Sequence, residues 1–209
     1  MNTSEFQPPS ASRSDPVPAP VSATSPYLAY IGLGSNLGDR ERHLTDSLAL
    51  LVRHPEVGAA GGSPMYETDP IGYLEQDSFL NQVVAVRTSL EPEALYRLMA
   101  ETELRLGRTR DIRWGPRTLD MDMLLVWRSE PSDPAAGAWL TFDTDSLTVP
   151  HPRMLERAFV LIPLVDLVRR LQPEEAGWLE RHLDKLEGKG GVQLWKKIKS
   201  LNASEHSES

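Results

Sequence analysis

Residues 107–126 hold most of the side chains in this 209-residue chain that could do chemistry. Arg108, Arg110, Arg113 and Arg117 sit in a stretch punctuated by Gly107, Gly115 and Pro116, with Trp114 among them. That stretch runs straight into an apolar segment bearing Asp120 and Asp122. A guanidinium presents a planar fork of donors that matches phosphate oxygens. Carboxylates at i and i+2 of a strand point to one face, roughly 7 Å apart, and such a pair suits two Mg2+ ions about 3.5–4 Å apart. Either feature alone is a weak signal, since an Asp-x-Asp on a wet strand is usually just solvated and an arginine-rich loop is usually surface. Adjacent, they are the equipment for moving a phosphoryl-type group from a nucleoside triphosphate.

Composition narrows the setting. The 22 basic and 30 acidic residues leave a net charge of −8, which argues against general nucleic-acid binding and makes the local arginine cluster stand out from its background. There is no cysteine, hence no disulfide framework, thiolate nucleophile or Cys-based zinc site. No apolar run approaches the roughly 18 residues of a membrane span, and the N-terminus lacks a signal pattern. The expected setting is cytoplasmic.

The elements that must position these residues can be read along the chain. Residues 1–26, rich in Pro, Ser, Ala and Thr, read as a disordered tail that cannot bury enough surface to offset its ordering entropy. Residues 27–33 read as a buried strand and 40–54 as a helix with Leu44, Leu48, Leu51 and Val52 on one face. Strands follow over 57–67, interrupted at Gly61-Gly62, and over 79–88. Pro92 opens a second helix, which Gly107 ends, and 119–126 is the fourth strand. The order βαββαβ predicts an α+β, ferredoxin-like core, an antiparallel sheet with packed helices, followed by a C-terminal helical extension. Within that extension 155–171 is broken or kinked by Pro163, and 174–186 forms a further helix. Residues 127–146, with Pro131, Pro134 and Gly137, read as an excursion. Residues 188–191 read as a loop, 192–198 as a short final element, and 200–209 as a disordered end. The whole of 27–199 is expected to be one domain. Gly32, Gly34 and Gly38 are misplaced for a dinucleotide-binding fingerprint, and that segment reads as a tight strand-to-helix turn capped by Asp39.

Residues 113–122, Arg-Trp-Gly-Pro-Arg-Thr-Leu-Asp-Met-Asp, resemble the signature of 6-hydroxymethyl-7,8-dihydropterin pyrophosphokinase, a family of folate-synthesis enzymes. Three other segments agree in order: 30–38, then 66–72 with 79–81, and 147–153 leading to 157–159. The resemblance covers about 27–168 and implies the ferredoxin-like fold. It further implies ATP as co-substrate, two Mg2+ ions on Asp120 and Asp122, and a reduced pterin alcohol as acceptor, giving AMP and the pterin diphosphate. It assigns catalysis to Arg108, Arg110, Trp114, Arg117, Asp120 and Asp122. Nucleotide contacts fall to Glu103, Arg110, Arg113, Trp114, Arg117, Met123, Thr148, His151 and Arg157. Pterin contacts fall to Thr68, Ile71, Phe79, Asn81, Trp114 and Phe159, with the two phenylalanines stacking on the ring. The chain departs from the family at Pro152, where a tyrosine is usual, and at Asp69, where a proline is frequent.

Two other classes use parts of this equipment. A palm-like nucleotidyl transferase or cyclase pairs strand carboxylates with two metals and releases pyrophosphate. A ferredoxin-like RNA-binding module needs exposed strand aromatics and a basic face; the acidic balance and the lack of an RNP-like aromatic run count against it.

Overall fold

The computed structural model describes residues 25–70, 75–108, 115–130 and 132–196. Ile71, Arg110, Arg113, Trp114 and the terminal segments 1–24 and 197–209 lie outside the described residues. Of the expected N-terminal tail, Ser25 is buried and the carbonyl of Pro26 accepts a 2.8 Å hydrogen bond from the N–H of Ser129, so these two residues pack against the fold.

The elements run β1 (Tyr27–Ser35), α1 (Arg40–Leu51), β2 (Val57–Gly62), β3 (Met65–Thr68), β4 (Phe79–Thr88), α2 (Pro92–Arg105), β5 (Asp120–Glu130), β6 (Asp133–Trp139), β7 (Phe142–Asp143), β8 (Thr148–Val149), α3 (Ala158–Leu171), α4 (Gly177–Lys185) and β9 (Val192–Lys196). The main sheet has the order β6-β5-β1-β4-β3-β9, with β2 also on β4, and its pairings are antiparallel. This is a mixed helix and antiparallel-sheet fold. No helix among the described residues is long and apolar enough to cross a membrane.

β1 reads as an uninterrupted apolar run because it is covered on both faces and paired on both edges. Ala29, Ile31 and Leu33 turn toward Leu44 and Leu51 of α1 and Leu95 and Met99 of α2. Leu28 and Tyr30 turn the other way, toward Leu161, Leu164 and Val165 of α3 and Leu179 of α4. Burying each such side chain contributes about 1.5–3 kcal/mol, so the two helical layers clamp this strand from both sides. One irregularity matters for the site. Between the pairs Tyr30↔Leu125 and Ile31↔Met123 the register shifts by one, and Leu124 and Leu125 both face α3. Such a bulge takes one backbone unit out of the ladder.

Several elements differ from the sequence expectation. The break between β2 and β3 falls at Ser63-Pro64, after the glycine pair. There the Ser63 hydroxyl accepts from the N–H of Val83 and the Ser63 carbonyl from Nε2 of Gln82, so the joint stays hydrogen-bonded. α1 stops three residues earlier than expected. α3 runs through Pro163 without a break, and the buried proline ring offsets the donor it lacks. The final element is a strand, β9, paired with β3. The expected excursion over 127–146 is chiefly a hairpin, in which β5 runs on to Glu130 and β6 pairs back on it. Trp127 is buried at 4% exposure and meets Trp139 edge-on at 5.1 Å between ring centroids. Trp139 in turn donates from Nε1 to Glu175 at 2.8 Å. Trp127→Ala should therefore lower unfolding free energy by about 3–5 kcal/mol, measured by urea denaturation. A loss below about 1 kcal/mol, the range of an ordinary surface substitution, would put Trp127 back on the surface.

Candidate active site

The site is laid out by the register of β1. Gly32 stands between Asp122 of β5 and Val83 of β4, and Gly34 stands between Asp120 and Asn81. Two glycines at i and i+2 leave the central strand bare on one face. A Cβ on Gly34 would come within 3.3 Å of Oδ1 of Asn81. Both glycines are therefore strand residues on a cavity floor, and the turn assigned to this segment starts only at Asn36. Asp39 does cap α1, accepting from the N–H of Arg42 at 3.1 Å. Above the floor lies a cavity of about 460 Å³ walled by β5, β4, the end of β3, the 151–157 loop and the start of α3.

On the β5 side the cavity is lined by Asp120, Asp122, Arg117, His151 and Arg157. Both carboxylates are half-buried, not spread on an open wet face. Asp120 is tightly paired: Oδ1 meets Nη2 of Arg108 at 2.8 Å and Oδ2 meets Nη1 of Arg117 at 2.5 Å. Asp122 is held loosely, with Nη1 of Arg157 at 3.8 Å and Nε2 of His151 at 3.9 Å. Burial, and then the charge of Asp120, push the Asp122 carboxyl above its ordinary pKa. Burial pushes His151 below its ordinary value. The bulge at Leu124 helps to place His151, because the Leu124 carbonyl accepts from the N–H of His151 at 2.9 Å. The N–H of Arg153 donates to Nδ1 of His151 at 3.1 Å, so in the neutral ring the proton sits on Nε2, the nitrogen facing Asp122.

Arg108 does not line the cavity. Its side chain is only 10% exposed and lies behind Asp120, bonded to Glu103 as well. Glu103 is buried and also accepts from the N–H of Met121 at 2.7 Å. Burial raises its pKa and the Arg108 charge opposes that rise. Glu103 thus acts on the cavity only through Arg108 and the backbone of β5. The side chain of Met123 is buried in the core with α1 and α2, on the opposite face from Asp122, so only its backbone is available to a ligand. Thr148 is exposed on β8 and off the cavity wall.

On the β4 side the cavity is lined by Thr68, Phe79, Asn81 and, from α3, Phe159. Nδ2 of Asn81 donates to Oγ1 of Thr68 at 2.8 Å. That leaves Oδ1 of Asn81 as an acceptor toward the floor and the Thr68 hydroxyl with a proton to give. The guanidinium of Arg157 lies 5.8 Å from the Phe159 ring centroid. Both phenylalanines are partly exposed. Sequence reasoning passed over Gly32, Gly34, Gln76 and Gln82 as cavity residues. The glycine alternation on a strand was the available signal; nothing marked the glutamines.

Among the described residues no group of three or more His, Asp or Glu side chains could enclose a metal ion. The donor set, a half-buried carboxylate pair with one member loosely partnered, instead fits a cation such as Mg2+ that takes one or two carboxylates and completes its shell with substrate phosphates and water.

Fold and site together fit a group-transfer enzyme, whose cleft has a cationic, carboxylate-bearing side and a ring-and-amide side. The family model for 7,8-dihydro-6-hydroxymethylpterin-pyrophosphokinase matches residues 30–169. The chain is 43% identical over 182 residues to the 2-amino-4-hydroxy-6-hydroxymethyldihydropteridine pyrophosphokinase of Bacillus subtilis (strain 168), an alignment covering 87% of this chain and 98% of that one. It is 40% identical over 157 residues to the protein of the same name from Pseudomonas aeruginosa, covering 75% and 88%. A crystal structure of HPPK-DHPS in complex with substrates matches 77% of this chain with a TM-score of 0.52 at 14% identity, a likeness of fold alone; this chain spans 43% of that longer one. The chain belongs to the 7,8-dihydro-6-hydroxymethylpterin-pyrophosphokinase family.

Two predictions follow from the charges and rings. In protein treated with a chelator, Asp122→Asn should raise the melting temperature at neutral pH, because a raised carboxyl pKa means that ionised Asp122 costs the folded state stability. Stability tied to a raised pKa is lost as pH rises through the folded value. The advantage of the variant should therefore fade as pH falls below the ordinary aspartate range, where both side chains are neutral; an unchanged or lower melting temperature at neutral pH would contradict it. Phe159→Ala should weaken binding of the pterin by roughly 1–3 kcal/mol, by analogy with base–aromatic stacking, and leave ATP affinity within about twofold. Calorimetric titration of each ligand checks this, and equal losses for both would make Phe159 a packing residue.

Proposed function

We propose that the cleft binds ATP along β5 and 6-hydroxymethyl-7,8-dihydropterin against β4, side by side across the Gly32–Gly34 floor. The enzyme transfers pyrophosphate from ATP to the pterin hydroxyl, giving AMP and the pterin diphosphate, a step of tetrahydrofolate biosynthesis. The observation that carries the spatial reading is the shared register of Asp120, Gly34 and Asn81. It sets the carboxylates and the ring-reading amide two strand spacings apart, roughly 10 Å, with nothing but bare backbone between them.

In this reading Asn81, Thr68 and the backbone of Ile71 take the amide edge of the pterin, while Phe79 and Phe159 hold its faces. Arg117, His151 and Arg157, with Arg110, Arg113 and Trp114 of the loop, take the triphosphate; Thr148, Glu103 and the backbone of Met123 complete the nucleotide side. Asp120 and Asp122 would hold two Mg2+ ions, which neutralise triphosphate charge when bound. The pterin oxygen forms a bond to the β-phosphorus, the bond from that phosphorus to the α–β bridging oxygen breaks, AMP leaves, and the hydroxyl proton passes to solvent or a phosphate oxygen. His151, with its proton on Nε2, is a donor to phosphate in this scheme and not the base. The chain's contribution is positioning and charge neutralisation, with Arg108 holding Asp120 from behind the cavity wall.

We also read β1 through β5 as a ferredoxin-like core with α3 and α4 as its C-terminal helical extension. Residues 27–199 are taken as one cytoplasmic domain between a Pro-rich N-terminal tail and a short C-terminal one, with small-molecule substrates only. Asp120→Ala and Asp122→Ala should each lower turnover about a hundredfold or more, as for loss of a major electrostatic group. With ATP, Mg2+ and the reduced pterin alcohol, the wild-type protein should yield AMP and pterin diphosphate in equal amounts. Chromatography of the nucleotides decides it: ADP would mean ordinary kinase chemistry, and free pyrophosphate would favour a nucleotidyl transferase.

A further inference from the structure

The segment 32–39, read from sequence as a tight strand-to-helix turn, carries a buried polar side chain that the reaction scheme does not use. Asn36 is 1% exposed, yet its backbone N–H and both polar atoms of its side chain are engaged by the two walls of the cleft. Its N–H donates to the carbonyl of Arg117 at 3.1 Å, and its Oδ1 accepts from the N–H of Arg117 at 2.7 Å. Its Nδ2 donates to Oε1 of Gln76 at 3.0 Å and to the carbonyl of Asp77 at 3.1 Å. Arg117 belongs to the phosphate side of the cavity and Gln76 to the wall beside Phe79. One side chain therefore bonds both walls at once, from the end of the central strand that forms the floor. Arg40, four residues on, reinforces only the second wall, donating to the carbonyl of Ser78 at 2.7 Å.

We propose that Asn36 is a positioning residue that sets the register between the phosphate wall at Arg117 and the pterin wall at 76–78. It touches neither substrate; it holds the two binding surfaces at the separation that aligns attacking oxygen and phosphorus. A planar amide suits this task, because it accepts from one wall and donates to the other from a single rigid group. The cost of losing it falls on alignment: a misplacement of about 1 Å between reacting groups can cost on the order of a hundredfold in rate, whereas each substrate still finds its own wall intact.

This inference rests on the pyrophosphokinase reading. Its test is a double-mutant cycle on the full chain with Asn36→Ala, Gln76→Ala and both together, measuring kcat and calorimetric titrations of reduced pterin and of a non-hydrolysable ATP analogue. Asn36→Ala should lower kcat about a hundredfold, while each ligand binds at unchanged stoichiometry with its Kd within about threefold. Gln76→Ala should lower kcat less, since the bond to the Asp77 carbonyl persists, and the double variant should match Asn36→Ala within about twofold, the non-additivity expected of partners in one network. If Asn36→Ala does not fold, Asn36→Asp carries the same expectation: it keeps the acceptor for Arg117 and turns the donor toward Asp77 into an acceptor. An unchanged kcat, losses that multiply in the double variant, or a stoichiometry that falls in step with kcat would each overturn the proposal. Wild-type protein that gives no AMP with the pterin would overturn the reading of function instead.

Discussion

The constraint on which the site depends is the like-charge pair on one face of β5. Asp120 and Asp122 are half-buried and close enough that the charge of Asp120 contributes to the raised pKa of Asp122. Carboxylates cannot be taken out of water in this way without compensation. The surrounding cations supply it unevenly: Arg108 and Arg117 take both oxygens of Asp120, while His151 and Arg157 stay near 4 Å from Asp122. Glu103, behind the pair, holds Arg108 in place and is itself buried. Without Arg108, the buried Glu103 and the half-buried Asp120 would face each other with no cation between them.

Sheet geometry turns that local balance into a two-sided cleft. Because Gly34 is flanked by Asp120 and Asn81, the same bare strand serves both halves, and neither half could shift without moving the other. The bulge at Leu124 does a separate job. By releasing one carbonyl from the ladder it gives the N–H of His151 a partner, and the chain that follows carries Arg157 into the cavity and Phe159 onto α3. A single backbone irregularity thus links the carboxylate strand to residues about thirty positions later in sequence.

How much of this was legible in the sequence varies with the physics involved. The first two helices, read from 40–54 and from Pro92, and the strands read over 27–33 and 79–88 announced themselves, within a few residues at their ends, because amphipathic period and buried apolar runs are local signals. The carboxylates and the cavity arginines were legible because residue type and spacing are chemical statements in themselves. The floor was not, since Gly32 and Gly34 look the same in a turn and in a strand; only pairing on both edges tells them apart. The hairpin over 127–139 was hidden by Pro131, Pro134 and Gly137, which read as breakers. An edge strand tolerates proline because one side of it needs no ladder partner, and being an edge is a property of the sheet, not of the segment. The opposite orientations of Met123 and Asp122 follow from simple alternation and were implicit in the strand assignment.

The resting pairing of Asp120 bears on what the cleft can accept. A cation arriving alone would displace Arg108 and Arg117 from the carboxylate, leaving Arg117 without that acceptor and Arg108, with its side chain only 10% exposed, with Glu103 alone. An anion arriving alone would meet the charge of Asp122, which Arg157 and His151 compensate only from near 4 Å. In the proposed scheme a polyphosphate bringing its own cation would resolve both conflicts, since the metal would take the carboxylates and phosphate oxygens would take Arg117. Buried ion pairs contribute little net stability when replaced as a unit and cost heavily when one partner is removed. On that ground the proposed site would disfavour each half of a metal–nucleotide complex and admit the whole, a selectivity that would arise from the charges of the protein before any contact with the base is made.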